Sequence, residues 1–170
     1  DTMERLIEAR KRLVFDEFFL FIMGMQYQKE KRTRQENRFV MEHPEFVEDL
    51  IQKLPYELTG AQRRALHDVT ENMQGPYAMQ RLIQGDVGSG KTILAFLAMA
   101  WCAQNGYQSA IMAPTEVLAQ QHYETFQKLC EQFGLHFPVI LLTGSMTAKQ
   151  KRSAYERLEL YENALIVGTH

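Results

Sequence analysis

Gly85-Asp86-Val87-Gly88-Ser89-Gly90-Lys91-Thr92 decides the reading of this chain, because it satisfies the phosphate-cradling pattern G-x-x-x-x-G-K-[ST] at every constrained position. Its glycines allow backbone conformations that a side chain would forbid, so that successive N–H groups of residues 85–90 can converge on phosphate oxygens. Lys91 supplies a point charge for the β- and γ-phosphates, and Thr92 offers a hydroxyl to Mg²⁺. A loop of this kind leaves a strand and opens a helix whose N-terminus favours an anion. Arg81–Gln84 reads as the strand, and Ile93–Ala103, apolar nearly all round, as a buried helix. The chemistry implied is nucleotide binding.

Working outward from the loop, helices and short apolar strands alternate. Thr59 starts a helix through about Met73, which Gly75-Pro76 ends. Beyond the loop come strands at Ser109–Ala113, Pro138–Leu142 and Ala164–Val167, separated by helices from Thr115 to about Phe133 and from Thr147 to Leu160. Four short apolar strands separated by helices, counting Arg81–Gln84, predict an α/β fold: a parallel sheet with helices on both faces, joined by right-handed crossovers. In such sheets ligands sit at the carboxyl ends of the strands.

The first fifty residues have another character. Residues 3 to about 34 contain no Pro and only Gly24, which predicts one helix of about 30 residues and ~45 Å. Ile7, Val14, Phe18, Phe21 and Met25 share one stripe, with Phe15, Phe19 and Ile22 on its neighbour. That much apolar surface is expected to dock, either on the second region or on a part of the protein beyond this sequence. The polar stretch Gln28–Arg38 reads either as a solvated helix end or as a basic cluster for a phosphate backbone. Glu45–Lys53 looks like a short amphipathic helix between Pro44 and Pro55. We place the domain boundary here: a helix and polar connector over 1–44, then a partial nucleotide-binding domain over 45–170.

Composition sets bounds. A hydrophobic content of 45% and a charged content of 24% are those of a folded globular chain. The net charge of −2 argues against a broadly basic nucleic-acid face. Any DNA contact must therefore be local. Cys102 and Cys130 lack metal-ligand spacing and read as small buried hydrophobes of a reducing compartment. With no visible signal peptide and no apolar run near ~18 residues, a soluble cytoplasmic protein without membrane contact is expected.

Each later strand is followed by a short polar segment: Ala113–His122, Thr143-Gly144-Ser145 and Gly168-Thr169-His170. Singly these are ordinary turns, with Thr115 as an N-cap. Together behind a phosphate loop, their order and wording resemble the first motor domain of superfamily 2 helicases and translocases, with Gly85–Thr92 as motif I and Ala113–Ala119 as motif Ia. The resemblance implies a RecA-like fold, ATP and Mg²⁺ as cofactors, and catalysis involving Lys91 and Thr92. It also implies phosphate-backbone contacts from Pro114, Thr115, Thr143, Gly144, Ser145, Thr169 and His170. Such contacts read little sequence. Gln62 keeps two readings: Thr59-Gly60-Ala61-Gln62 fits a capping box, and Leu-Thr-x-x-Gln ahead of the loop matches the superfamily's adenine-reading element.

The leading segment Glu8–Phe19 resembles the helix that joins a DNA-binding wedge domain to the motor in a branch of this superfamily. That branch couples ATP hydrolysis to translocation on double-stranded DNA and remodels forks and Holliday junctions in recombination and repair. By the same resemblance the chain is expected to be a fragment without the wedge, the acidic motif II or the second motor domain. As such it would bind nucleotide but turn over little or none. A non-catalytic nucleotide-binding module and another phosphate-loop enzyme such as a small-molecule kinase stay open.

Overall fold

A computed structural model describes residues 2–31 and 35–170. It divides into two compact units, Asp1–Gln35 and Glu36–His170.

The first unit is helix α1 (Thr2–Lys31). Phe15, Phe18, Phe19 and Phe21 on its apolar stripes are all more than half exposed. Local order comes from neighbours one turn apart: Phe15 stacks on Phe19 with centroids 6.0 Å apart, and Arg12 pairs with Asp16 at 3.4 Å. Arg32, Thr33 and Arg34 of the expected basic cluster lie outside the described residues. No described helix is long and apolar enough to cross a membrane.

The second unit holds α2 (Glu45–Gln52), α3 (Gly60–Gln74), α4 (Lys91–Gln104), β1 (Ser109–Met112), α5 (Glu116–Phe133), β2 (Val139–Leu142), α6 (Ala148–Leu160) and β3 (Leu165–Gly168). The strands form a parallel sheet in the order β1-β3-β2, with Met112 and Leu142 both in register with Gly168. The three carboxyl ends therefore finish level. Pleating sends Leu165 and Val167 to one face, where they join Phe96 and Leu97 of α4 and Phe126 of α5 in the main core. Ile140 faces the other way and packs with Ala154 of α6. Helices thus cover both faces. At the centre Phe96, fully buried, meets Phe126 edge-on at 5.2 Å.

One expected strand does not form. Arg81–Gln84 joins no ladder among the described residues, and Leu82 is 86% exposed. Apolar content and the loop that follows predict a strand, but a strand exists only through a partner edge, and the segment pairs with neither outer edge of the β1-β3-β2 sheet. Arg81 instead turns its guanidinium onto Asp68 at 2.8 Å, tying the segment to α3.

The compact unit also begins earlier than residue 45. The Asn37 side-chain amide donates to the Met73 and Gly75 carbonyls at 3.0 and 2.9 Å, and the buried Trp101 donates through Nε1 to the Glu42 carbonyl at 2.6 Å. Residues 36–42 are in this way laced onto the ends of α3 and α4.

Candidate functional site

Three local decisions build the loop. Gly88 and Gly90 take positive φ of 80° and 81°, values at which any side chain would be strained. The Ser89 amide donates to the Asp86 carbonyl at 3.2 Å and closes the turn. α4 then starts at Lys91 behind Gly90, and no side chain caps it, so its first amides face the loop. Because α4 is buried on nearly every side, that N-terminus is fixed relative to the sheet.

Lys91 folds back over the loop. Its ammonium donates to the carbonyls of Gly85 and Asp86, both at 2.7 Å, and to Ser89 Oγ at 3.3 Å. Thr92, half-buried, stands in the first turn of α4. The loop is open to solvent, with Val87 fully exposed at its crest.

Gln62 realises the capping box. Its Oε1 accepts from the Thr59 amide at 2.8 Å while Thr59 Oγ1 accepts from the Gln62 amide at 3.2 Å. The other end of the same side chain donates to the Ser89 carbonyl at 2.8 Å, and Gln62 lies against Gly90 so closely that a Cβ there would collide with it. Gln62 therefore braces the phosphate loop from α3.

The second group of candidates lies at the level strand ends. Pro114 and Thr115 follow β1, Thr143, Gly144 and Ser145 follow β2, and Thr169 and His170 follow β3. Thr115 caps α5 by accepting from the Leu118 amide at 3.3 Å, which leaves its hydroxyl proton free to donate outward. Thr143 is buried and Ser145 exposed, their hydroxyls 3.4 Å apart. The Thr169 amide donates back to the Leu142 carbonyl at 3.1 Å, tying the turn after β3 to the end of β2.

Two residues in this arrangement escaped sequence reasoning. Glu116 Oε1 accepts from the Ser145 amide at 2.7 Å, and Lys151 Nζ donates to the Gly144 carbonyl at 3.1 Å. Ser145, through its side chain and then its backbone, holds the Glu116 carboxyl below the ordinary Glu range against desolvation, with the Lys151 charge as a smaller aid. No local signal marks either residue, since the partners lie 29 and 7 positions away. The two thiols take no part, burial pushing Cys102 and Cys130 each up to about 11.

Among the described residues no cluster of three or more His, Cys, Asp or Glu is placed to hold a metal. The site consists of a backbone cradle with one lysine, and a row of short polar side chains on the same end of the sheet.

The family profile of the DEAD/DEAH box helicases matches residues 59–170. Over its whole length the chain is 44% identical to the ATP-dependent DNA helicase RecG of Synechocystis sp., of which it covers 20%. It is 42% identical to RecG of Bacillus subtilis, with all of this chain and 25% of that protein aligned. A solved structure of RecG bound to a three-way DNA junction superposes on 97% of this chain with a TM-score of 0.78 and 34% identity, the match covering 22% of that chain. A hypothetical ATP-dependent RNA helicase from Sulfolobus tokodaii shares the fold, with a TM-score of 0.54 at 19% identity over 75% of this chain and 34% of its own. The chain thus spans a fifth to a quarter of the length of these curated relatives.

Proposed function

Because the chain belongs to the DEAD/DEAH box helicase family, we propose that it is the nucleotide-binding part of a RecG-type ATP-dependent DNA helicase, a motor that moves on double-stranded DNA and remodels forks and Holliday junctions. The observation that carries this reading is the phosphate loop set on a buried helix, at the same end of the sheet as three polar turns.

In that role the loop amides not spent inside the turn, with the N-terminus of α4, receive the β- and γ-phosphates, and Lys91 exchanges its loop carbonyls for them. Mg²⁺ takes few protein ligands and completes its shell with phosphates and water, and Thr92 would supply the hydroxyl that holds it. Bound there, the ion would neutralise charge that develops between the phosphates. Thr115, Thr143, Gly144, Ser145 and Thr169, with Pro114 and His170 beside them, lie along one strand of DNA and hold phosphates without reading bases. The Leu13–Met25 stripe is buried in the full-length protein, as a strut between a DNA-binding wedge and the motor. A Phe18→Asp variant that kept full stability and fork unwinding would exclude the strut.

ATP hydrolysis by the full-length protein, with and without branched duplex DNA, tests the main reading. Stimulation by DNA that disappears in Lys91→Ala is the expected result. Hydrolysis indifferent to DNA would favour another phosphate-loop enzyme, and nucleotide binding with no hydrolysis under any condition a binding module.

A further inference from the structure

We propose that Glu116 is a positioning residue, which fastens the Thr143–Ser145 turn to α5 so that the turns after β1 and β2 meet a phosphate backbone as one body. The inference rests on the DNA-gripping role given above to those turns.

Geometry carries it. The turn after β2 is held from two helices: Glu116 on the first turn of α5 accepts the Ser145 N–H at 2.7 Å, and Lys151 on α6 donates to the Gly144 carbonyl at 3.1 Å. Inside the turn the Thr143 N–H donates to Met146 Sδ at 3.3 Å. Two of the N–H groups that a phosphate would seek are therefore already committed. The Thr115 hydroxyl keeps its proton to present outward, and the Ser145 side chain leans on the same carboxylate, so the two turns belong to a single clamped unit, since Glu116 directly follows Thr115. The fit is close on the other side as well. A Cβ on Gly144 would stand 3.2 Å from Glu116 Oε1, so a methyl there presses on the carboxylate where it meets its donor.

The sign of the effect separates this role from its rivals. Glu116 is an exposed anion, and by charge alone it must oppose a polyanion. If it were only a surface carboxylate, or a stand-in occupying a phosphate's place, its removal would tighten DNA binding. A positioning role requires the reverse.

Binding of a labelled three-way DNA junction to the full-length protein, followed by fluorescence anisotropy, makes the comparison among wild type, Glu116→Ala, Glu116→Gln and Glu124→Gln. The last removes the same charge from an exposed site farther along α5. Glu116→Ala should weaken binding by roughly three- to tenfold, the effect of one lost hydrogen bond, whereas Glu116→Gln, which keeps an acceptor oxygen, should stay within about twofold of wild type. Glu124→Gln should bind no more weakly than wild type. Gly144→Ala, pressing on the carboxylate, should weaken binding in the same direction as Glu116→Ala. Hydrogen exchange at the Ser145 amide should quicken in Glu116→Ala and stay slow in Glu116→Gln. Unchanged or tighter binding by a folded Glu116→Ala would overturn the inference. Failure of the wild type itself to bind would instead overturn the DNA-gripping role.

Discussion

Lys91→Ala offers the sharpest test of the nucleotide site, and the fold supplies the size of the effect. The site lies in the unit Glu36–His170, about 135 residues, and at ~2.1 cal/mol/K per residue its unfolding entropy is ~0.28 kcal/mol/K. Mg²⁺-ATP at a hundredfold over its dissociation constant stabilises the folded state by ~2.7 kcal/mol, so the thermal midpoint should rise by about 9–10 °C. Truncating Lys91 removes donors from the carbonyls of Gly85 and Asp86, but the loop is open and water can replace them. An exposed substitution of that kind changes stability by ~0.5 kcal/mol or less, or under ~2 °C here. The variant should therefore melt like wild type without nucleotide and fail to gain the shift with it. Differential scanning fluorimetry across a nucleotide titration reads both quantities. An equal shift in both proteins would refute the placement of the phosphates under Lys91. A large fall in the ligand-free midpoint would refute the argument that the lysine's carbonyl contacts are replaceable.

Three other outcomes follow from the packing. Phe96→Ala empties the centre of the core, where the ring is fully buried against Phe126 and Phe133, and should cost about 3–5 kcal/mol, read as a lower urea midpoint at unchanged slope. Gly168→Ala places a Cβ 2.5 Å from the Leu142 carbonyl oxygen, a backbone atom that cannot swing aside. It should destabilise by ~1–3 kcal/mol and speed exchange of the Thr169 amide, whose acceptor is that same oxygen. Gln62→Ala removes both halves of the brace and should lower stability by ~0.5–2 kcal/mol, with any adenine role appearing as lost discrimination between ATP and GTP in a competition assay.

Much of the fold was legible because its boundaries are written in local chemistry. Thr59, Thr115 and Thr147 each begin a helix by accepting from an amide three residues on, and each can be read from its own neighbourhood. The strands β1, β2 and β3 are apolar runs between such signals. Arg81–Gln84 has the same wording without the outcome, because the partner that turns an extended segment into a strand is a property of the sheet. The docking of residues 36–42 was hidden for a similar reason. The contacts that Asn37 and Glu42 make with Met73, Gly75 and Trp101 span 36 to 59 positions of the chain, and no periodicity links an asparagine amide to the last carbonyls of a distant helix.

The candidate site shows where this limit acts on chemistry. Gly85–Thr92 announces itself because all its functional groups come from consecutive residues. Glu116 does not, since its meaning lies in an amide contributed by another strand's turn. Gln62 stands between the two cases. Sequence allowed it a capping role or a base-reading role, and the structure shows the cap together with a bond that neither reading contained, from Nε2 to the Ser89 carbonyl in the phosphate loop. An amide offers two acceptor sites on its oxygen and two N–H donors, and one of each is occupied here by backbone. Pairing with adenine through both ends would use the remaining lone pair and the remaining N–H, while Gln62 keeps hold of Thr59 and Ser89. Base recognition and loop tension would then share one side chain. A nucleotide that engaged both loop and base would therefore tie α3 and the phosphate loop more tightly together than one that engaged the loop alone.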